Sequence, residues 1–368
     1  IHIKATLLML KSNNHSIFLF SISLAKGGAE NQLVKLALFL AKKNYDVKII
    51  YGLAHNDFHE ELTKAGIGVQ FINYKSLVGL FKLLRFVKKE KPDLMISFMF
   101  GMNLICRMLK FFSGIPLITS VRNNEISNLY FWLYRISYNI DTLSTFNSEY
   151  ALKKFIAQKL TNPKKSVLQN NAIKISESHS KSKKNKVFTI ISLAHFRPQK
   201  DYITLFVAIK ILKDKNIPVK LFVLGHTFDQ NWPFDKLKSM EIEELVSIVG
   251  FVQNTGEYLQ AADALVLSSL WEGTPNAILE AMAHKLPVIS SRIPGCESLV
   301  LNSECGFLFE KQNPEQLAER IVGMMQISEK ERQDFGQNGY QYVYDNYREE
   351  VVYKQWLTLI KRAIKSAA

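Results

Sequence analysis

The chain is poor in cysteine. Its three thiols, Cys106, Cys296 and Cys305, have no paired spacing and no histidines at metal-ligand intervals. That excludes a disulfide framework and a zinc site, and reads as reduced, buried thiols of a cytosolic protein. There is no Asp-x-Asp motif, so the usual carboxylates for a metal on a nucleotide phosphate are missing. No apolar run approaches the roughly 20 residues that a membrane-spanning helix needs. No short-period repeat is visible, which excludes a solenoid. Residues 1–15 hold only a short apolar run, Leu7 to Leu10, cut off by Lys11-Ser12-Asn13-Asn14-His15. It is too short and too weakly flanked for a signal peptide, and reads as an N-terminal extension.

What is present is a soluble globular composition, 47% hydrophobic and 22% charged over 368 residues. That length is too great for one ordinary core, so two domains are expected. The net charge of +14 is uneven. Residues 1–173 carry +13, residues 174–186 carry +4, and residues 187–368 carry −3. A basic half points to an anionic partner for that half. Charge alone fits nucleic acid, an anionic membrane surface or a pyrophosphate-bearing acceptor.

Strand and helix patterns alternate along the chain. Candidate strands at 17–23, 47–51, 69–72, 93–97, 116–121 and 141–145 are separated by helical patterns, which implies a parallel sheet wrapped by helices. The polar, Ser- and Lys-rich stretch 174–186 reads as a linker. A second alternating set starts with a strand at 187–193. The expected organisation is an α/β chain of two doubly wound, Rossmann-like domains, 16–173 and 187–348, facing a central cleft. An amphipathic helix at 349–368, with Val352, Trp356, Leu357, Leu359 and Ile360, follows them.

Residues 263–300 are the most informative. Ala262 to Ser269 is an apolar run ending in serines, hence a buried strand. Leu270-Trp271-Glu272-Gly273 is a loop. Thr274-Pro275 reads as a hydroxyl N-cap followed by proline at the first helical position. Asn276 and Ala277 open the helix, Glu280 lies inside it, and Leu286 to Ser290 is a second buried strand. A strand end beside a helix N-terminus is where open α/β sheets bind ligands and where free amides favour phosphate.

This block closely resembles the donor-sugar signature of the retaining glycosyltransferases of family 4, in which two glutamates eight positions apart occupy this setting. The resemblance covers nearly the whole chain from Phe18 onward. It implies the GT-B fold, with the terminal helix crossing back onto the first domain. It also implies that Glu280 holds ribose hydroxyls, that Glu272 holds the donor sugar, and that Thr274, Asn276 and Ala277 offer amides to the diphosphate. The resembled family has an arginine and a lysine five apart on the loop Ser192 to Asp201. Lys200 matches the lysine, but His195 stands at the arginine position, with Arg197 two residues on. Either could meet the phosphates with Lys200. Gly27-Gly28-Ala29-Glu30 resembles the family's first-domain loop, whose amides close over the donor. Arg122-Asn123 stands near the reacting sugar by the same resemblance. Asn147, Ser148, Glu149 and Asn171 are lesser candidates. The histidine common after the fourth strand is absent from Ser97-Phe98-Met99-Phe100-Gly101.

The expected activity is metal-independent, retaining transfer from a nucleotide-sugar, UDP-linked, with no other cofactor. The expected acceptor is a polyprenyl-diphosphate-linked or similar glycan in surface-polysaccharide assembly. The expected location is cytoplasmic, peripheral on the inner face of the cytoplasmic membrane, with no nucleic-acid partner. The helix 76–89 carries Lys82, Arg85 and Lys89 on one face and Leu80, Leu83, Leu84 and Val87 on another. It reads either as a membrane-surface helix or as a core helix with a solvated rim. The alternatives are a sugar-nucleotide epimerase of the same architecture and a non-enzymatic polyanion-binding protein.

Overall fold

The computed structural model describes residues 15–175 and 187–366. The expected N-terminal extension, save His15, and nearly all of the expected linker lie outside the described residues. The chain forms two compact units, Ile1–Asn170 with Val352–Ala368, and Asn171–Val351.

The first unit runs β1 (Ser16–Ser21), α1 (Gly28–Lys42), β2 (Asp46–Tyr51), α2 (His59–Lys64), β3 (Gly68–Phe71), α3 (Leu77–Glu90) and β4 (Leu94–Phe98). It continues with α4 (Phe100–Ser113), β5 (Leu117–Val121), α5 (Asn128–Ser137), β6 (Leu143–Phe146), α6 (Glu149–Ala157) and β7 (Ser166–Leu168). The strands pair in parallel in the order β3-β2-β1-β4-β5-β6-β7. Strands β4, β5 and β6 are buried along their whole length. That is why their sequences read as unbroken apolar or small-residue runs rather than alternating ones. The order reverses between β1 and β4, the switch point of this sheet. There Met99, a non-glycine residue, adopts φ 76° and ψ 149°, a region populated almost only by glycine and a store of strain.

Polar residues brace α4 against its neighbours. Arg107 donates to Asp141 through Nε (2.8 Å) and Nη2 (2.6 Å) and to Ser137 through Nη1 (2.9 Å). Thr119 and Ser144 hydroxyls also donate to Asp141, and the Arg107 guanidinium lies over the Tyr134 ring. The carboxylate raises the already high pKa of the buried guanidinium. Helix α3 settles its two readings towards the core: Leu83 and Val87 are buried, while Lys82, Arg85, Lys88 and Lys89 are at the surface. The side carrying Leu83 and Val87 therefore faces the core, while Leu77, Val78 and Phe81 at its start stay exposed.

The second unit runs β8 (Phe188–Leu193), α7 (Tyr202–Asp214), β9 (Val219–Leu224), α8 (Trp232–Ser239), β10 (Val246–Gly250), α9 (Gly256–Ala261) and β11 (Ala264–Leu267). Then come α10 (Asn276–Ala283), β12 (Val288–Ser291), α11 (Pro294–Ser303), β13 (Gly306–Phe309), α12 (Pro314–Gln326) and α13 (Glu329–Asn346). Its parallel sheet has the order β10-β9-β8-β11-β12-β13, with the switch point between β8 and β11. Two apolar clusters sandwich it. One is centred on α7 and α12, the other on α10 and α11.

One feature differs from expectation, and the return of the last helix to the first unit agrees with it. The chain passes between units at Asn170/Asn171, upstream of the polar stretch. Ile173 donates its amide to Tyr347 (2.8 Å) and packs in the second core, which draws residues 171–175 into that unit. The final helix α14 (Glu349–Lys365) changes unit at Val352. Tyr353 stacks on Phe39 (4.4 Å) and Trp356 on Phe98 (6.2 Å), so α14 completes the first unit's core.

Candidate functional site

The second unit's switch point brings two loops together. Beyond β8, Phe196 accepts no strand partner; its amide bonds to the His226 carbonyl (2.9 Å) and the chain makes a single helical turn at Pro198–Lys200. Asp201 ends that turn at φ 44° and caps α7 with its carboxylate, which takes Thr204 N–H (3.3 Å) and Thr204 Oγ1–H (2.6 Å). Beyond β11, Ser268 Oγ donates to the carbonyls of Lys200 (2.8 Å) and Asp201 (3.0 Å), and the Leu270 amide to that of Gln199 (2.8 Å). The two loops are thus sewn together by backbone contacts before any ligand arrives.

On this frame Lys200 Nζ donates to Glu272 Oε1, and Ser269 Oγ donates to the same oxygen (2.8 Å). The side chains are 18% and 11% exposed, so their attraction is only partly screened. The two residues assigned separate roles in the sequence are partners here. Cys296 lies close enough that the Glu272 charge adds to burial in pushing its thiol up to about 12.

Helix α10 starts at Asn276. Pro275, not Thr274, is its N-cap, and no side chain caps it. Thr274, just before it, is buried, and its carbonyl accepts from Asn171 Nδ2 (3.2 Å). The same Nδ2 reaches Asn276 Oδ1 (2.6 Å). Asn171 therefore clamps the loop between Glu272 and Glu280. Sequence reading left it a minor candidate, since its partners are more than a hundred positions away. Glu280 stands a turn inside α10, where Thr255 Oγ1 approaches Oε2 (3.4 Å). Helix α11 also ends on this loop: a Cβ at Gly295 would lie 2.0 Å from the Gly273 carbonyl. Only glycine lets this uncapped N-terminus come so close.

His195 and Arg197 separate. Nδ1 of His195 accepts the His226 amide (3.0 Å), so in the neutral ring the proton is on Nε2. Its ring belongs to an aromatic group with His226, Phe228 and Phe251 at the ends of β8, β9 and β10. Arg197 is exposed and lies over Phe228 (5.5 Å). That group was invisible in the sequence because its members belong to three loops.

The first unit's candidates lie at carboxyl ends of its own strands. Arg122 follows β5, donates to Ser120 Oγ (2.9 Å) and stacks on Phe98 (4.4 Å); burial pulls its pKa down to about 9. Gly27 is the N-cap of α1, which no side chain caps. A Cβ there would lie 2.5 Å from a Glu30 carboxylate oxygen. Glu30 thus lies against Gly27 at this helix start. Asn147 and Ser148 follow β6; the Ser148 hydroxyl caps α6 and donates to Asn124. Among the described residues no group of His, Cys, Asp or Glu is arranged to hold a metal ion.

The family model for glycosyl transferases group 1 matches residues 174–342, and that for glycosyltransferase family 4 matches residues 26–177. Among curated proteins, the chain is 28% identical to the UDP-Gal:alpha-D-GlcNAc-diphosphoundecaprenol alpha-1,3-galactosyltransferase of Escherichia coli, over 67% of this chain and 69% of that one. It is 29% identical to a Campylobacter jejuni alpha-1,4-N-acetyl-D-galactosaminyltransferase acting on GalNAc-alpha-(1->4)-GalNAc-alpha-(1->3)-diNAcBac-PP-undecaprenol, over 92% and 96%. It is 24% identical to the capsular polysaccharide biosynthesis glycosyltransferase CapM of Staphylococcus aureus, over 89% and 93%. Among solved structures, HepE of Anabaena with UDP-glucose superposes with a TM-score of 0.79 at 18% identity, covering 95% of this chain and 99% of that one. A Rickettsia africae glycosyltransferase superposes at 0.82 and 16% identity, covering 96% and 99%. With both halves matched in order and both sheets wound as described, the chain is a glycosyltransferase of GT-B fold, its first half matching the family 4 model and its second half the group 1 model.

Proposed function

We propose that this glycosyltransferase is retaining and metal-independent, and that it moves a sugar from a UDP-linked donor to a polyprenyl-diphosphate-linked glycan in polysaccharide assembly. The observation that carries the reading is the Lys200–Glu272 pair at the second sheet's switch point, between two uncapped helix starts. The acceptor class is taken from the undecaprenyl-linked substrates named for the Escherichia coli and Campylobacter relatives. The relatives named are transferases, which favours this reading over an epimerase or a polyanion-binding protein.

The chemistry follows from where charge grows. As the glycosidic bond stretches, negative charge collects on the departing diphosphate. Lys200 and the amides opening α10 and α11 are donors for it, and they need no metal. Glu272, held by Lys200 and Ser269, acts as a fixed acceptor for donor-sugar hydroxyls. A carboxylate so engaged is a poor nucleophile, so the acceptor attacks from the leaving-group side and the anomeric configuration is kept. Glu280 accepts from ribose. Arg197, on the surface over Phe228, is left with a lesser part. Arg122 is assigned to the acceptor side. The decisive experiment incubates the protein with a panel of nucleotide-sugars and an undecaprenyl-diphosphate glycan, in excess chelator, and reads the product anomer by NMR. Transfer with retention is expected. Inversion, or activity that returns only with magnesium or manganese, overturns the reading.

A further inference from the structure

Helix α5 is amphipathic in the wrong direction. Leu129, Trp132, Leu133 and Ile136 recur at the spacing of a buried stripe, yet they are 68%, 63%, 37% and 79% exposed. Only Tyr134 of this helix is buried. The last turn of α4 adds Phe111 and Phe112, 73% and 52% exposed. The two helices are packed together and tied near their C-terminal ends by the Arg107–Ser137 bond (2.9 Å), and Phe111 and Phe112 follow one turn beyond Arg107. Soluble monomers seldom leave so much contiguous apolar surface in water.

The rim of this face is basic. Residues 100–170 hold nine Lys and Arg against three Asp and Glu, and one of those acids, Asp141, is buried against Arg107. Lys165 Nζ is fixed on the Asn139 carbonyl (2.7 Å) just beyond α5, beside the exposed Lys164, and Arg135 on the Gln158 carbonyl (2.7 Å). The whole first unit carries 27 Lys and Arg against 10 Asp and Glu, a charge of +17, while the second unit carries −3. Pairing this face with a second copy of itself would bring two basic rims together. An anionic leaflet complements both parts of it. Aromatic side chains favour the interfacial layer, and cations favour the headgroups. No described helix is long and apolar enough to cross a membrane, which leaves a face that lies on one.

We propose that α5 and the last turn of α4 form the membrane-docking face, with Leu129, Trp132, Ile136, Phe111 and Phe112 in the interfacial layer and Arg135, Lys164 and Lys165 among anionic headgroups. This deepens the lipid-linked acceptor reading and rests on it for the source of the bilayer, and it moves the attachment from α3 to α5. The test is flotation of the full chain with vesicles of phosphatidylcholine alone and with one third phosphatidylglycerol. The wild type floats with the anionic vesicles and is released by half-molar salt. Trp132→Ser/Ile136→Ser, which removes only exposed side chains, loses at least tenfold in partitioning. Leu77→Ser/Phe81→Ser, on exposed positions of α3, binds as wild type. Thermal stabilisation by the nucleotide-sugar, read on the same proteins without vesicles, is unchanged in both variants and reports the transferase reading separately. Wild-type protein that stays with the soluble fraction, or an α5 variant that floats as well as wild type, overturns the proposal. So does a wild-type dimer in sedimentation that the α5 variant turns into a monomer, since the face would then belong to a second copy.

Discussion

Lys200 and Glu272 hold each other in a place where water covers little of either. Lys200→Ala strips a nearly buried carboxylate of its ammonium, which should lower stability by about 1–3 kcal/mol. It should also lower kcat by a factor on the order of 10² to 10³, because the lost charge acts most strongly as the diphosphate departs. The companion variant Lys200→Met/Glu272→Gln separates the effects: calorimetry should recover most of the melting temperature, while turnover stays low. If turnover recovers with stability, Lys200 is only structural. Glu280→Ala should leave folding intact and weaken nucleotide-sugar binding by about 1–3 kcal/mol, measured by titration calorimetry. The thiols give a third expectation. Burial pushes Cys305 up to about 11 and Cys296 up to about 12, and Cys106 well above the ordinary thiol value. At pH 8 a disulfide-exchange reagent should find almost no thiolate in the native protein and three thiols after denaturation. Rapid native labelling would refute that burial. At this scale the sequence already put Lys200 and Glu272 on loops beyond β8 and β11, and Glu280 inside α10, because the strand and helix patterns around them are clear. It did not carry Asn171 or the His195–His226–Phe251 group, whose meeting depends on which strands lie side by side.

Among the elements, α11 has the least room to move. Gly295→Ala would drive a methyl into the Gly273 carbonyl. The helix must then back away from the Glu272 loop, losing about 1–3 kcal/mol of stability together with donor affinity. A variant that binds donor normally would mean that the loop adapts freely. Most elements were legible because period and punctuation agree. Apolar runs of four to six residues alternate with helical patterns, and Gly or polar residues stand between them. Strand β7 was missed, since Ser166–Leu168 is three residues long and too short to show a period. The start of α10 was misplaced by one residue: Thr274-Pro275 suits an N-cap and first position locally, but the helix begins at Asn276 with Pro275 before it. Helix α3 was left with two readings, because a basic amphipathic pattern does not say whether its apolar side meets a core or a lipid.

At the scale of the molecule, the two-unit organisation was legible in the doubled strand–helix alternation and in the charge split, whereas the point of passage was not. Lys174 and the polar residues after it look like a connector, but Ile173 and Ile175 pack in the second core. The return of α14 to the first unit has energetic weight. Trp356 is 2% exposed, and Trp356→Ala should destabilise by about 3–5 kcal/mol, read as lost amide protection in the first unit by hydrogen exchange. Loss of protection confined to the second unit would contradict the assignment of α14. That return also bears on how the protein is made. Domains ordinarily complete themselves in the order in which they leave the ribosome. Here Phe39 and Phe98 wait for Tyr353 and Trp356 until the whole of the second unit has been synthesised. The nascent first unit must therefore pass that interval with part of its core uncovered. It is during translation, more than after it, that this chain is most open to chaperones and to misassociation with its neighbours on a polysome.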